Sequence, residues 1–574
     1  MSPRKEALKE AERLLKVADV IKKSGVELSF ETPPNPAFGD LACNAAFHLA
    51  KALKRPPHEI AKEIAGKIEL PKNGLFEKIE SDGGYVNFFY SYPKLAELAI
   101  NAVGKEKEKY GAGKKAGKKI MVEYFHANTH KAFHIGHVRN VCLGEALCRI
   151  LEFAGNAVVR VNYQGDIGPH VSKCVWAYMN FLKGKEPKEV YEKGRWLGEV
   201  YRKANEMLEK NPEYEKAVDK TDSDIYERKG EAAKIWKITR QWSLDYFDRI
   251  YEDFGVKFRR FYFESEVEGP GREIARELLR EGIARESEGA IIVDLEKWNL
   301  GVCIILKKDG KPLYSTKELA LALLQEKEYK TDMIIHVVGS EQKLYFQQIF
   351  RIFELWKPDI AKRERHLSYE LVNLPTGKMK SREGNVVLYE DLKEKLMGIS
   401  AKQAKEKNPE LKEKDIEKIA ENVALGALKY GMINQSPDKT IIFDWDKALD
   451  ISGNSAPYLQ YSYTRASSIL RKGGIKKIPG FDPDHAKNPE EKELVKLISQ
   501  FPETVERAAR DLRPHYVAGF CYSLAKAFAD FYERLPVLNA EKGEREFRMA
   551  LVMAAMQVLE NGLRLLGINV MERM

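Results

Sequence analysis

Between Ile120 and Tyr163 the residue pattern admits few folds. Ile120-Met-Val-Glu-Tyr-Phe125 is an apolar run of strand length, followed by a loop rich in histidine. Val138, Val141, Leu147, Ile150 and Leu151 then fall on one helical face, Gly155-Asn156 stops the helix, and Ala157-Val-Val-Arg-Val-Asn-Tyr163 is a second strand. A strand, a helix and a strand in such close succession form a βαβ unit, so the two strands lie parallel in one sheet. Ligands of such sheets bind outside the carboxyl ends of the strands. The segment from Glu123 to His137 therefore faces the binding crevice.

That segment has the makings of a phosphate site. His134-Ile-Gly136-His137 opens a helix, where free backbone N–H groups and the helix dipole favour phosphate, and imidazoles can donate to phosphoryl oxygens. Gly136, lacking Cβ, lets a flat base approach the backbone. Taken alone, the motif is equally consistent with two helix-start histidines satisfied by their neighbours. A second signal lies at Pro375-Thr-Gly-Lys378-Met379-Lys380-Ser381-Arg-Glu-Gly384-Asn385, where cations and a hydroxyl stand between glycines. Such a set suits a leaving pyrophosphate. By itself it also describes an ordinary basic surface loop.

At 574 residues the chain exceeds one core. Residues 1–115 predict an α+β unit, with helical periodicity over Ala7–Ile21, strands at Val26–Phe30 and Gly84–Tyr90, and Asn35–Asp40 leading into a helix. A Gly/Lys linker closes that unit. Residues 116–390 predict a split parallel-sheet domain with an insertion at about 180–310, the sheet resuming in the apolar run Asp332–Gly339. Residues 391–574 predict an all-α bundle with a basic and aromatic face.

With 44% hydrophobic residues and no low-complexity segment, disorder is excluded as the chain's general state. The net charge of +9 is a small difference between 95 Lys+Arg and 86 Asp+Glu, so it permits a polyanionic partner without requiring one. The Glu- and Lys-rich 32% charged fraction resembles that of proteins from hot environments. Six scattered cysteines make no zinc pattern, so no structural zinc is expected, and they read as buried thiols in a reducing compartment. The first residues read as a charged amphipathic helix rather than a signal peptide, and no apolar run approaches the ~18 residues of a membrane span. A cytoplasmic protein without membrane contact is expected.

The early HIGH sequence and the later KMSKS-like loop together resemble class I aminoacyl-tRNA synthetases. Further segments narrow the resemblance to the arginyl-tRNA synthetases over nearly the whole length: Phe38-Gly-Asp-Leu-Ala-Cys-Asn44, Gly84-Tyr-Val-Asn-Phe-Phe89, Glu123-x4-Asn128-x2-Lys131 and Gly165-Asp166-x-Gly168. Tyr314-x-Thr-Lys-Glu318, Gly339-x2-Gln342, Asn454-x2-Pro-Tyr-Leu-Gln-Tyr461 and the closing Glu572-Arg-Met574 continue it. The resemblance implies a Rossmann-type catalytic domain, an α+β N-terminal domain and an α-helical anticodon-binding bundle. It implies ligation of L-arginine to its cognate tRNA through an arginyl-adenylate, with ATP and Mg2+ as the substrate complex, activation dependent on bound tRNA, and a monomer.

The implied arginine residues are Glu123, Asn128, His134, Tyr314, Glu318 and Gln342; a permanently charged planar guanidinium calls for fixed carboxylates and hydroxyls. ATP falls to His134, Gly136, His137, Lys378 and Met379, and catalysis to Lys131, His134, His137, Lys378, Lys380 and Ser381. Asn87 and Tyr90 are implied at the tRNA D-loop, and Tyr461, Arg465, Tyr532 and Met574 near the anticodon. Two positions depart from the family pattern. Position 318 is usually Asp, so Glu318 adds a methylene. The loop has Ser381 where the class I pattern has its second lysine, and Lys131 upstream of HIGH is implied as its replacement. Another class I synthetase, an HxGH nucleotidyltransferase and a non-catalytic tRNA-binding derivative remain open; the helical C-terminal region speaks against the second, and intact HIGH and Lys378 against the third.

Overall fold

The computed structural model describes residues 2–308, 310, 312–375 and 387–574. Lys378, Met379, Lys380 and Ser381 of the KMSKS-like loop lie outside the described residues.

The N-terminal region is an antiparallel sheet of β1 (Phe30–Glu31), β2 (Leu41–Cys43), β3 (Phe76–Asp82) and β4 (Tyr85–Tyr90) in the order β1-β2-β4-β3, backed by helices. The apolar run at 85–90 is a strand, as its aromatic and β-branched density predicts. Val26–Phe30 is paired only from Phe30 onward. Between Asn35 and the next helix stands β2, which three residues are too few to announce by periodicity. Gly39, at φ +96°, makes that turn: a Cβ there would meet the Phe88 carbonyl oxygen at 2.9 Å. Asp40 beside it accepts hydrogen bonds from Tyr90 N–H, Tyr92 OH and, at 2.9 Å, Lys496 of the C-terminal helices. The first and last parts of the chain are thus clasped through a buried ion pair.

The central sheet is wholly parallel. Its strands β5 (Lys119–Glu123), β6 (Ala157–Gln164), β7 (Arg260–Phe263), β11 (Met333–Gly339) and β12 (Glu364–Tyr369) run in the order β12-β11-β5-β6-β7. From β5 the chain proceeds to β6 and β7 on one side, then to β11 and β12 on the other. The reversal opens a crevice at the carboxyl ends of β5 and β11. The span 180–310, read as an insertion, includes β7, so it is interrupted by the main sheet. The helices Val190–Lys210, Glu215–Tyr226 and Gly230–Phe254 precede that strand. A three-stranded antiparallel sheet, β8 (Arg285–Ser287), β9 (Ala290–Asp294) and β10 (Val302–Leu306), follows it. A four-residue strand of Arg-Phe-Tyr-Phe leaves too little alternation to read.

The helix Ile135–Phe153 is buried on every side, which explains its polar members. Arg139, 1% exposed, donates to the carbonyl oxygens of Glu370, Leu371, Pro437 and Lys439. It thereby ties the HIGH helix to the short parallel pair Val372–Asn373 and Ile441–Ile442. Beyond Tyr389 the secondary structure is helical apart from Ile441–Ile442, ending in the bundle Ala456–Lys472, Pro489–Asp511, His515–Arg534 and Lys542–Leu565. Among the described residues no helix is long and apolar enough to cross a membrane, and all six cysteines are buried and unpaired.

Candidate active site

The loop after β5 carries unusual backbone. Phe125, His126 and His130 have φ of 86°, 44° and 63°, a left-handed conformation that costs side-chain-bearing residues about 1–3 kcal/mol each. The loop is held by its surroundings. His130 is buried, with Nε2 2.8 Å from Thr239 Oγ1 and Nδ1 3.0 Å from Thr129 Oγ1, and its N–H donates to Ser243. Asn128 Oδ1 accepts from Gly165 N–H at 3.2 Å, where a Cβ on Gly165 would stand 2.5 Å from that oxygen. Asp166 next to it pairs with Arg240 at 2.8 Å and accepts from Ser265, anchoring the helical insertion to the loop.

His134 is the N-cap of the long helix. Its Nδ1 accepts from Gly136 N–H at 3.2 Å, and His137 Nδ1 accepts from His134 N–H at 3.3 Å. With both Nδ1 atoms used as acceptors, each neutral ring carries its proton on Nε2. The rings stack at 3.8 Å between centroids. Burial, then the nearby Lys131 charge, pushes His134 down to about 4. Burial, then the His134 ring and the Lys131 charge, push His137 down as well. A methyl on Gly136 would touch the His134 ring at 3.0 Å, so glycine here also protects the cap. Lys131 makes no ion pair among the described residues; its ammonium lies 5.6 Å from the centre of the Tyr201 ring.

At the carboxyl end of β5 is a buried acidic cluster. Glu123 (1% exposed) stands opposite His336 of β11 in the parallel register. Its Oε1 lies 3.2 Å from His336 Nδ1, and its Oε2 accepts from Gln325. His336 Nε2 lies 2.6 Å from Glu364 Oε2, and Glu318 Oε1 lies 3.8 Å from His336 Nδ1. Burial and the neighbouring Glu123 push Glu318 up to about 8. Burial alone would raise Glu123 too, but His336 outweighs it and holds Glu123 below the usual range. One carboxylate oxygen each of Glu123 and Glu318 and one ring nitrogen of His336 all lie within 4.8 Å of one another. Both ring nitrogens of that histidine face carboxylates.

Tyr314 begins the helix Tyr314–Tyr329, one turn before Glu318, and is 62% exposed. A buried Lys317–Glu264 pair at 2.7 Å fixes that turn. Gln342 is exposed in the 3-10 turn Ser340–Gln342 directly after β11. The crevice therefore has an acidic end between β5, β11 and the Tyr314 helix, and an imidazole and lysine end at the N-terminus of the HIGH helix.

The family model described as tRNA synthetases class I (R), catalytic domain, matches residues 99–445. The chain belongs to the arginyl-tRNA synthetase family. The arginyl tRNA synthetase N-terminal domain model matches residues 5–90, and the DALR anticodon binding domain model residues 459–574. The arginine–tRNA ligase of Clostridium perfringens is 36% identical over 98% of this chain and 99% of its own length. That of Treponema denticola is 36% identical over 96% and 95%. The solved arginyl-tRNA synthetase of Thermus thermophilus superposes with a TM-score of 0.82 at 26% identity, covering 98% of this chain and all of that one. The Plasmodium falciparum structure shares the fold with a TM-score of 0.81 at 20% identity, over 99% of each chain. A class I synthetase domain uses ATP as substrate.

Of the implied tRNA residues, three meet in this member of the family. The Arg465 guanidinium lies 5.1 Å from the Tyr461 ring centre and 4.9 Å from that of Tyr532, beside a groove of about 600 Å³ lined also by Leu538 and Asn539. The C-terminal tail carrying Met574 is tied to the same helix through Thr464, which donates to the Met571 carbonyl at 2.7 Å. Asn87 lines a groove with Phe38, Lys62 and Phe89, although it is only 4% exposed. Tyr90 requires a correction. It is 2% exposed and stacks on Phe76 at 5.5 Å, so its side chain belongs to the N-terminal core.

His336, Gln325 and Glu364 escaped the sequence reading. His336 stands inside the apolar run Asp332–Gly339. The available signal was a polar residue inside a strand buried on both faces, which must have a partner.

Proposed function

We propose that Glu123 and Glu318 receive the arginine guanidinium, with Tyr314 at the mouth and Asn128 and Gln342 toward the α-amino and carboxylate groups. The chain is an arginine–tRNA ligase of class I, converting ATP, arginine and tRNA to AMP, pyrophosphate and arginyl-tRNA. The convergence of two buried carboxylates beside the HIGH helix N-terminus carries the residue assignment. In the first step the arginine carboxylate attacks the α-phosphorus of MgATP and pyrophosphate leaves with the broken P–O bond's electron pair. His134 and His137, each with Nε2–H free of the helix cap, donate to the phosphate oxygens, while Lys131, Lys378 and Lys380 supply positive charge and Ser381 a hydroxyl. In the second step the 2′-OH of the terminal adenosine attacks the adenylate carbonyl and AMP departs. Asn87, Tyr461, Arg465, Tyr532 and Met574 contact the tRNA, bases stacking on the aromatic rings and phosphates meeting the basic side chains.

In this reading residues 1–115, 116–390 and 391–574 act as the N-terminal, catalytic and anticodon-side domains of a cytoplasmic monomer. The test is arginine-dependent ATP–pyrophosphate exchange, with and without cognate tRNA. Exchange with arginine and tRNA is expected; none under those conditions sinks the reading, and exchange with lysine or glutamine instead sinks the amino-acid assignment.

The acidic end also sets a pH dependence. Glu318, pushed up to about 8, is neutral in most empty pockets at pH 7, whereas the guanidinium needs its carboxylate. Arginine binding must then release a proton. The KM for arginine is expected to fall as pH rises toward 8, by at most about tenfold per unit, and to level off above it. A KM that is flat from pH 6.5 to 9 counts against Glu318 as a guanidinium ligand.

A further inference from the structure

Three carboxylates, Glu123, Glu318 and Glu364, are buried around one imidazole. They come from three separate elements: β5, the helix Tyr314–Tyr329 and β12. Glu364 is 3% exposed; its Oε2 meets His336 Nε2 at 2.6 Å, and its Oε1 is buried with no hydrogen-bond partner. His336 is therefore the one hydrogen-bond donor to that carboxylate among the described residues. On the other side of the ring, Nδ1 faces Glu123 Oε1 at 3.2 Å. A neutral imidazole has one N–H and can donate to only one of the two acids. An imidazolium satisfies both.

The remaining groups around the ring fit that state. Phe346 and Phe350 of the helix Lys343–Trp356 flank it at 5.2 and 6.3 Å between centroids, and neither competes for its protons. Gln325 donates to the far oxygen of Glu123. His126 from the loop and His366 from β12 are the other titratable bases in the neighbourhood, and burial pushes both down, so neither supplies a charge. Burial opposes the charge on His336 as well, but Glu123 and Glu364 outweigh it and hold the ring well above its ordinary range.

We propose that His336 is a positioning residue for arginine recognition: as an imidazolium bridging Glu123 and Glu364, it fixes the Glu123 carboxylate and supplies the counter-charge that lets Glu123 wait ionised for a guanidinium, while Glu318 gives up its proton as the ligand binds. The inference rests on the assignment of Glu123 to the guanidinium. Without His336, Glu123 has only the Gln325 amide to hold it, and the facing acids take up a further proton, beyond that of Glu318, which arginine must then expel.

The test compares His336→Phe, which keeps a ring against Phe346 but no donor, with His336→Asn, which retains a donor near the Nδ1 position. Steady-state exchange with tRNA present reads arginine and ATP separately. His336→Phe is expected to raise the KM for arginine by about 10- to 100-fold, the range of a lost hydrogen bond to a charged group, with kcat and the KM for ATP within about threefold. His336→Asn is expected to recover part of that loss. A parent-like KM for arginine in His336→Phe overturns the inference. So does a parallel loss of kcat, ATP affinity and melting temperature, which marks a purely structural histidine. Glu123→Gln separates the two levels: if it leaves arginine affinity unchanged, the pocket assignment falls and the inference with it. If Glu123→Gln weakens arginine while His336→Phe does not, the inference alone falls. A second readout covers variants that do not fold. In the parent protein labelled with 15N-histidine, the ring signals displaced by Glu364→Gln are expected to stay in the imidazolium form at pH 8, and a neutral ring at pH 7 overturns the proposal.

Discussion

Lys131→Ala is expected to slow arginine-dependent ATP–pyrophosphate exchange by about 10²- to 10³-fold at saturating substrates, the usual effect of removing one preorganised group from a developing oxyanion. The KM for arginine is expected to change little. The reason lies in the state of the imidazoles. His134 is pushed down to about 4 by burial and then by Lys131, and burial pushes His137 down too, so both are neutral at working pH. Their Nδ1 atoms are occupied by backbone N–H groups of the helix cap. They can offer N–H dipoles but no net charge, and the charge that builds on a leaving pyrophosphate calls for a cation. Among the described residues of this end of the crevice, Lys131 has no carboxylate to neutralise it, only the Tyr201 ring at 5.6 Å. An exchange rate within about threefold of the parent sinks the assignment and leaves the charge to the lysines of the KMSKS-like loop.

Glu123→Gln is expected to weaken arginine by about 10²-fold or more in KM, the scale on which breaking one partner of a buried charge pair operates. The substitution conserves shape, so the loss is chemical. The amide no longer attracts a guanidinium. It also turns an N–H2 toward a partner that is itself a donor, either His336 Nδ1 or the Gln325 amide. ATP affinity is expected to hold, because the adenylate end of the crevice is built from the HIGH helix. Discrimination is the sharper measure. A carboxylate left unpaired by neutral citrulline penalises that analogue, and the penalty shrinks when Glu123 becomes an amide. Inhibition constants for citrulline and arginine, compared in parent and variant, check this; an unchanged ratio speaks against Glu123 as the discriminating group.

Much of the architecture was legible from local pattern. The strand, histidine loop and helix from Ile120 to Phe153 appear where periodicity predicts them, as do β4, β11 and the C-terminal helices. Two strands of ordinary length, β3 and β12, escaped, because their charged and polar residues hide the alternation, and so did very short ones. β2 has three residues and β7 four, and both are strands because neighbouring strands supply the ladder, which no local window records. Tyr90 shows the converse limit. A tyrosine at the end of an aromatic strand suits a stacking platform and a core equally, and only its packing on Phe76 distinguishes them.

The same division runs through the crevice from Glu123 to His137. Residue types and spacing determined that a helix starts within the HIGH sequence, that histidines and Lys131 stand at its start, and that an acid ends the preceding strand. Each of those depends on neighbours along the chain. Which side chains share a pocket with Glu123 was decided by tertiary structure alone. His336 lies 213 positions away and reaches it through the β5–β11 register, Gln325 and Glu318 arrive on a helix, and Glu364 stands behind. Charge state followed from that assembly. A carboxylate at position 318 is ordinary in the sequence; burial beside Glu123 is what raises its proton affinity, because the cost of a charge is set by the dielectric and the charges around it.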